Sequence, residues 1–261
     1  MSDAVPRHIA ITGASVGLGR ALALAYAAPG VVLGIVARSD ERIEACAEAC
    51  RQRGATVVTG ALDVRDAAAM CIWLNRFDDA YPIDLLIANA GVASTIASAT
   101  DWENLERTAV IVDTNFYGAM HAVLPVVARM RARRRGHIAL IASIAALRGM
   151  EISPAYCASK AALKAYGDSV RPLLKRQGVQ MSVVLPGFVK TAMSDVFPGN
   201  KPFLWSSDKA ARHIRLKLAA GRTEIAFPGL LAFGTRLLAL LPATLADRIL
   251  GGLLFAPGKK H

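Results

Sequence analysis

Short apolar runs alternate with longer amphipathic segments from residue 8 to residue 227, and this alternation limits the fold more than any other feature. The runs are apolar on both faces, as are central parallel strands that helices cover on each side. The longer segments then supply crossover helices. Predicted strands are 8–12, 31–36, 56–60, 85–88, 137–142, 180–185 and 224–227, and predicted helices lie near 18–28, 40–53, 65–79, 101–112, 114–134, 154–177 and 207–220.

No linker or shift in composition interrupts this pattern, and 261 residues suit one large domain. The predicted class is therefore α/β, with a doubly wound parallel sheet of about seven strands and helices on both faces. We expect a single domain, with its core over 7–228 and a helical extension over 229–261.

A glycine-rich turn follows the first strand, with the sequence TGASVGLG over residues 12–19. Gly13 would allow the tight turn, Gly17 would let backbone amides approach a pyrophosphate, and Gly19 would let helix and strand pack closely. The helix that starts here also offers unpaired N–H groups to phosphates. The turn, including Ser15 and Leu18, is thus predicted to bind a dinucleotide.

The second strand ends without the acidic residue that would hold the ribose hydroxyls of NAD. Arg38 and Ser39 follow it instead, and a guanidinium suits a 2′-phosphate. We therefore expect NADP(H) to be preferred, with NAD(H) as a possible cofactor. The alternative is that Arg38 is a solvated residue at the start of a helix.

Tyr156 and Lys160 are four residues apart, which places them on one face of a helix. A tyrosine with its usual pKa of about 10 is a poor acid–base catalyst at neutral pH. A nearby ammonium favours the phenolate and lowers that pKa. Ser143 ends the fifth strand, at the edge of the sheet where such folds bind ligands. These three residues are the predicted catalytic group.

These motifs and their order resemble the short-chain dehydrogenase/reductase family, in its single-domain, Rossmann-type branch, over about residues 7–228. The turn is similar to the family's TGxxxGxG loop, and Asn115 matches the fourth member of its catalytic tetrad. The residue before the second glycine of the turn departs from the family pattern, because NADP-preferring members often carry Lys or Arg there and this chain has Val16. The resemblance also implies cofactor contacts at Asp63, Val64, Asn89, Ala90, Gly91, Pro186, Gly187, Val189 and Thr191.

The resemblance implies a hydride transfer between NAD(P)(H) and a carbonyl or alcohol. Ser143 would hydrogen-bond the substrate oxygen, and Tyr156 would donate or remove a proton. Lys160 would lower the pKa of Tyr156 and bind the ribose, while Asn115 would hold a helix kink and a water linked to Lys160. The competing hypothesis is a non-catalytic protein that senses a dinucleotide or binds a partner on the same fold.

The net charge of +11 raises the question of nucleic acid. The dense arginine cluster, 131 and 133–135, ends an apolar helical run before Gly136. Cations favour a helix C-terminus, and glycine favours the left-handed cap, so we expect a capping role and no nucleic-acid binding. The four cysteines lack metal-site spacing with histidine, so we expect free thiols and no metal.

The segment 193–205 is rich in apolar side chains and predicts a hydrophobic substrate, although these residues could instead only pack a lid onto the core. In the tail, apolar positions 230, 233, 237, 240 and 241 share one helical face, which predicts two amphipathic helices split at Pro242. Over 229–255 these helices could close the pocket, form a subunit interface, or lie on a membrane with Lys259 and Lys260 near headgroups.

The resemblance implies a homodimer or homotetramer that pairs through the helices near 114–134 and 154–177. Four free thiols, and an N-terminus without an apolar signal segment, predict a cytoplasmic protein. Peripheral contact with the inner face of a membrane remains compatible with the apolar tail.

Overall fold

The computed structural model describes residues 6–96 and 101–254. Its strands form one parallel sheet in the order β3-β2-β1-β4-β5-β6-β7, so the predicted sheet is confirmed. Each predicted strand lies within one residue of an observed one at both ends. The strands are β1 (His8–Thr12), β2 (Val32–Ala37), β3 (Thr56–Ala61), β4 (Leu85–Ala88), β5 (Gly136–Ile141), β6 (Val179–Pro186) and β7 (Glu224–Phe227).

The predicted helices are present, with one interruption and one addition. The π-helical turn Asp113–Tyr117 separates α4 from α5, and a short helix after β6 was not predicted. The helices are α1 (Gly17–Tyr26), α2 (Asp40–Arg51), α3 (Ala67–Ala80), α4 (Leu105–Val112), α5 (Gly118–Ala132), α6 (Pro154–Arg176), α7 (Ala192–Asp195), α8 (Ser207–Ala219), α9 (Gly229–Leu240) and α10 (Ala243–Leu254).

Polar side chains at the residue before the first turn cap the helices α2, α3, α4, α7 and α8. Asp66 accepts a hydrogen bond from the N–H of Ala69 at 2.9 Å, and Asn104 accepts one from Arg107 at 2.8 Å. Such caps satisfy one of the free N–H groups of a helix and contribute about 1 kcal/mol each. The N-terminus of α1 differs, because its first residue is preceded by Val16, which has no side-chain cap.

Two hydrophobic layers sandwich the sheet, which confirms the doubly wound arrangement. On one side, α1, α2 and α8 pack on Ile9, Ile11 and other buried strand residues. On the other, α3, α5 and α6 pack on Ala10, Leu86 and Leu140. Residues adjacent in β1 face opposite layers, as the alternation of side chains in a strand requires.

Two arginines of the cluster after α5 form ion pairs. The expectation that Gly136 takes the left-handed cap of this helix is wrong. Arg134, with φ 52°, takes the left-handed position, whereas Gly136, with φ 150°, begins β5. Arg133 holds Asp78 through two hydrogen bonds of 2.8 Å, and Arg135 holds Asp84 at 2.7 Å. Burial raises the pKa of Asp78, but the hydrogen bonds from Arg133 and Arg129 outweigh it and lower the pKa. The sequence pattern could not reveal these partners, because they lie about fifty residues earlier.

Candidate active site

A pocket of about 860 Å³ lies along the carboxyl edge of the sheet, across the junction of β1 and β4. The order of strands reverses at this junction, which is where ligands bind in open α/β sheets. Ser39 and Asn115 are the two predicted site residues that do not line it, within the part of the chain that is described. The predicted residues that do line it are Gly13, Ser15, Gly17, Leu18, Gly19, Arg38, Asp63, Val64, Asn89, Ala90, Gly91, Ser143, Tyr156, Lys160, Pro186, Gly187, Val189 and Thr191.

The glycine turn is packed so closely that side chains are excluded. Gly13 and Gly17 have φ of 66° and 56°, a region that favours glycine. A Cβ on Gly13 would lie 2.7 Å from the Cα of Ala90, and one on Gly19 would overlap the carbonyl oxygen of Gly13. The backbone at this end of the pocket therefore has little freedom to accept other residues.

Thr12 and Asn89 connect the turn after β1 to the loop after β4. The Oγ1 of Thr12 accepts hydrogen bonds from the backbone N–H of Asn89 at 3.0 Å and of Ala90 at 3.1 Å. In return, the side-chain amide of Asn89 donates to the carbonyls of Thr12 at 3.0 Å and Gly13 at 3.2 Å. Thr12 was not singled out from the sequence, although its place at a strand end in the glycine motif was a usable signal.

The ends of β2 and β3 bring Arg38 and Asp63 to the same side of the pocket. Arg38 is exposed and lines the pocket. Hydrogen bonds from Arg65 lower the pKa of Asp63, with a smaller contribution from the charge of Arg38. Ser39, a predicted cofactor contact, instead caps α2 by accepting a hydrogen bond from the N–H of Arg42 at 3.4 Å.

Ser143 and Tyr156 meet beside the end of β5. Ser143 begins a single 3₁₀ turn, where its Oγ accepts from the N–H of Ala145 at 3.1 Å and donates to the carbonyl of Pro186 at 3.4 Å. Burial raises the pKa of Tyr156 to about 12, while a hydrogen bond with Ser143 opposes the rise. The phenol is thus held in its protonated form at neutral pH.

Lys160 lies one turn after Tyr156 in α6 and is 3% exposed. Its Nζ donates to the carbonyl of Ile141 at 2.9 Å and lies 5.8 Å from the centre of the Tyr156 ring. Burial lowers the pKa of Lys160 to about 8. The sequence predicted that Lys160 lowers the pKa of Tyr156, but burial is the larger influence on Tyr156 here.

Asn115 lies in the π-helical turn between α4 and α5 and is fully buried. Its Oδ1 accepts from the N–H of Val92 at 2.8 Å, and its Nδ2 donates to Val92 at 2.9 Å and to Ser159 at 3.0 Å. A Cβ added to Gly91 would lie 3.0 Å from this Oδ1 and 3.4 Å from the Nζ of Lys160. Asn115 therefore joins the β4 loop to α6 close to Lys160, from behind the pocket wall.

Only part of the apolar segment 193–205 reaches the pocket. Met193, Phe197 and Phe203 line it. Trp205 instead stacks on Phe227, with ring centres 4.9 Å apart, and so belongs to the packing of the core. The segment therefore contributes some residues to the pocket lining and others to the packing of the core, and the hydrophobic substrate stays a prediction.

The two predicted tail helices are present and separate at Pro242, and together they close one side of the pocket. Leu231, Leu238 and Leu250 are among the residues that line it. Most of the helical face predicted from positions 230, 233, 237, 240 and 241 points to solvent, since Phe233 is 58% exposed and does not line the pocket, whereas Leu230 lines it. Helix α9 is apolar on both faces, so the sequence could not show which face covers the pocket. Phe255, Lys259 and Lys260 lie outside the described residues.

The chain matches the family model for short chain dehydrogenase over residues 7–200. It is 36% identical over 249 residues to an uncharacterized oxidoreductase of Myxococcus xanthus, covering 95% of this chain and 97% of that protein. It is 31% identical to 11-beta-hydroxysteroid dehydrogenase-like 2 of Arabidopsis thaliana, covering 71% of this chain and 60% of that protein.

A solved structure has the same fold. A short chain dehydrogenase/reductase from Burkholderia phymatum, in complex with NAD, has a TM-score of 0.79 at 23% identity, covering 91% of this chain and 94% of that one. The family match spans the glycine turn, Asn115, Ser143, Tyr156 and Lys160. The chain therefore belongs to the short-chain dehydrogenase family of oxidoreductases.

Proposed function

We propose that this protein is an NADP(H)-preferring enzyme that interconverts a carbonyl and an alcohol on a hydrophobic substrate, as a single domain with its core over 7–228 and an extension over 229–261. The observation that carries the proposal is the meeting of Ser143, Tyr156 and Lys160 in the pocket that the glycine turn also lines. Membership of an oxidoreductase family supports the same reaction class.

The residues present fit a nicotinamide dinucleotide. The turn at Gly13 and Gly17 lines the pocket with backbone and without side chains, and the N-terminus of α1 lacks a side-chain cap. Unpaired N–H groups and the positive end of the helix dipole suit a pyrophosphate there. Arg38 would bind a 2′-phosphate. The segments 89–91 and 186–191 would flank the remainder of the dinucleotide. Support for NADP over NAD rests on Arg38 and on the lack of an acid at the end of β2.

The bound cofactor would supply or accept the hydride. Ser143 would donate a hydrogen bond to the substrate oxygen and stabilise the charge that develops on it. Tyr156 would transfer its phenolic proton to that oxygen in reduction and take it back in oxidation. Lys160 would orient the ribose, and Asn115 would keep Lys160 in place through the β4 loop. We treat Asn115 as a positioning residue, because it lies behind the pocket wall.

The pKa of Tyr156 gives the reaction a pH dependence. At about 12, it leaves the phenol protonated at neutral pH, which suits proton donation to a carbonyl. Alcohol oxidation needs the phenolate, so its rate should rise with pH over a range where carbonyl reduction changes little.

The lining of the substrate side supports an apolar substrate. Phe188, Met193 and Phe197 lie on one wall, and Leu231 and Leu238 of α9 on another. Burial of apolar surface against such walls is worth about 25 cal/mol per Å². One relative is named as a hydroxysteroid dehydrogenase-like protein, which is compatible with a large apolar substrate.

We also propose a cytoplasmic homodimer or homotetramer, paired through α5 and α6, where the apolar side chains of Leu124 and Leu173 are exposed. The segment Leu105–Ala132 is long and apolar enough to cross a membrane by length and composition alone. However, 44% of its apolar 18-residue window is buried in the protein, and core helices of soluble proteins meet the same criteria. Peripheral membrane contact through the outer face of α9 is a separate proposal, tested below.

The first experiment titrates the protein with NADPH and NADH by fluorescence, alongside Arg38→Ala and Tyr156→Phe. We expect tighter binding of NADPH, and a loss of about 10–100-fold in Arg38→Ala for NADPH alone, as for a charged hydrogen bond. Tyr156→Phe should bind NADPH normally but lose about 10²–10⁴-fold in the rate of ketone reduction.

Arg20→Ala is the matched control, because Arg20 is another exposed arginine near the turn that does not line the pocket. Equal binding of both nucleotides would refute the NADP preference. If neither nucleotide binds, the enzyme proposal fails and a non-catalytic protein on this fold is the better account.

A further inference from the structure

Arg148 brings a positive charge to the substrate side of the pocket. It follows the 3₁₀ turn that Ser143 begins and precedes α6, so its loop flanks Tyr156. Among described residues that line the pocket, the charged side chains are Arg38, Asp63, Arg148 and Lys160. Arg38 and Asp63 belong to the nucleotide side, and Lys160 adjoins Asn115. Of these four, Arg148 is the one that contacts the tail helices lining the substrate side, through Asp247 of α10.

The Nε of Arg148 is buried and has no hydrogen-bond partner. In the part of the chain that is described, every other buried side-chain nitrogen or oxygen has one. A buried polar group without a partner costs about 1–3 kcal/mol, and more when it carries charge. Native proteins retain such groups rarely, and often where a ligand or water completes the site. This nitrogen therefore points to a ligand group that accepts a hydrogen bond.

The side-chain hydrogen bond of Arg148 involves one nitrogen of its guanidinium. Its Nη2 donates to the Oδ1 of Asp247 in α10 at 2.5 Å. The Asp247 side chain is 67% exposed, and exposed pairs of this kind contribute only about 0–1 kcal/mol. A carboxylate that accepts from Nε and Nη2 together would form the stronger bidentate arrangement. Asp247 is therefore a weak partner that a ligand carboxylate can replace.

We propose that Arg148 binds a carboxylate on the substrate, displacing Asp247, so that the preferred substrates are apolar oxo or hydroxy acids. The hydrocarbon part would lie against Leu231, Leu238 and Leu250, and the reacting oxygen would meet Ser143 and Tyr156. The net charge of +11 favours approach of an anion. This inference rests on the proposed function and narrows its substrate class.

Displacement of Asp247 explains how a carboxylate reaches a shielded nitrogen. Nε is buried in the arrangement in which Asp247 accepts from Nη2. We therefore expect the acid to reach Nε only when α10 shifts away from the loop. Asp247 and the substrate carboxylate then compete for one cation. Removing Asp247 should strengthen acid binding, whereas removing Arg148 should weaken it. If the ion pair were merely structural, removing either residue would change acid binding in the same direction.

The test uses 9-oxodecanoic acid and its methyl ester, which differ in charge but share the same chain. Steady-state reduction with NADPH is measured for wild type, Arg148→Gln, Asp247→Asn and the control Arg212→Gln, whose residue is exposed on α8. We expect Arg148→Gln to raise KM for the acid by about 10–100-fold, the size of a charged hydrogen bond, with kcat and the ester little changed. Asp247→Asn should lower KM for the acid alone.

Calorimetric titration of both compounds into Tyr156→Phe with NADPH present measures the site without turnover. The same preference for acid over ester, lost with Arg148→Gln in that background, would support the inference even if the reaction class were wrong. Equal losses for acid and ester, or weaker acid binding in Asp247→Asn, would overturn it. No turnover of either compound, with acid binding intact, would instead count against the proposed reaction and leave the Arg148 site standing.

Discussion

The two ends of the pocket are built in different ways. At the nucleotide end, strand termini and backbone atoms form the surface, and a Cβ on Gly13 would come within 2.7 Å of another backbone atom. At the substrate end, α9 and α10 form a wall of flexible apolar side chains, and a Cβ on Gly234 would meet nothing within 4 Å. The first end fixes the position of its ligand through backbone geometry, while the second leaves room for substrates of different shape.

The largest expected effect tests this difference with one chemical change at each end. Gly19→Ala forces a Cβ onto the carbonyl oxygen of Gly13, and we expect a loss of at least about 3 kcal/mol in the free energy of unfolding. Gly234→Ala, inside α9, should gain about 0.5–1 kcal/mol, because alanine loses less backbone entropy in a helix. Chemical denaturation measures both. Similar effects at the two positions would show that the ends do not differ in packing.

The same contrast explains what the sequence could predict. The strands, the glycine turn and Tyr156 with Lys160 were all predicted, because each depends on a local pattern or on a backbone requirement. The partners of Arg133 and of Arg148 were not predicted, because they are acids far away in the chain.

Helix α9 shows the limit most clearly. It is apolar on both faces, so its periodicity identified a stripe but not the side that packs inward. At the nucleotide end, Ser39 was predicted to contact the cofactor and instead caps α2. A serine before a helix can serve either purpose, so the sequence did not distinguish them. Local patterns therefore give elements and motifs, and tertiary packing decides between equivalent faces.

A smaller effect concerns the buried charge that lies between the two ends. The pKa of Lys160 is lowered to about 8 from its usual 10.5, so the unfolded chain binds more protons than the folded protein between these values. The contribution of Lys160 to stability should therefore rise with pH across this window, by about 2 kcal/mol from pH 8 to pH 10. Lys160→Met lacks this contribution, so the stability of wild type relative to the variant should rise by that amount. Unfolding free energies from denaturant titrations at each pH give the comparison.

Tyr156 does not mask this trend. Its pKa is raised to about 12 by burial, so its contribution to stability is lost only as pH rises above the usual value of about 10. The difference between wild type and Lys160→Met isolates the lysine from the other titrating groups. A flat difference across the window would mean that Lys160 is well solvated, contrary to its burial in the structure.

The smallest expected effect separates the two faces of α9. Phe233 is 58% exposed on the outer face, while Leu238 lines the pocket. If the outer face lies on a membrane, Phe233→Gln should weaken sedimentation with anionic vesicles by about 10-fold, since burying one aromatic side chain is worth about 1.5–3 kcal/mol. Its KM should not change. Leu238→Gln should do the reverse, raising KM for an apolar ketone and leaving vesicle binding intact. A wild-type protein that stays in the supernatant, and a Phe233→Gln variant that sediments as a smaller species, would assign the outer face to a subunit interface instead.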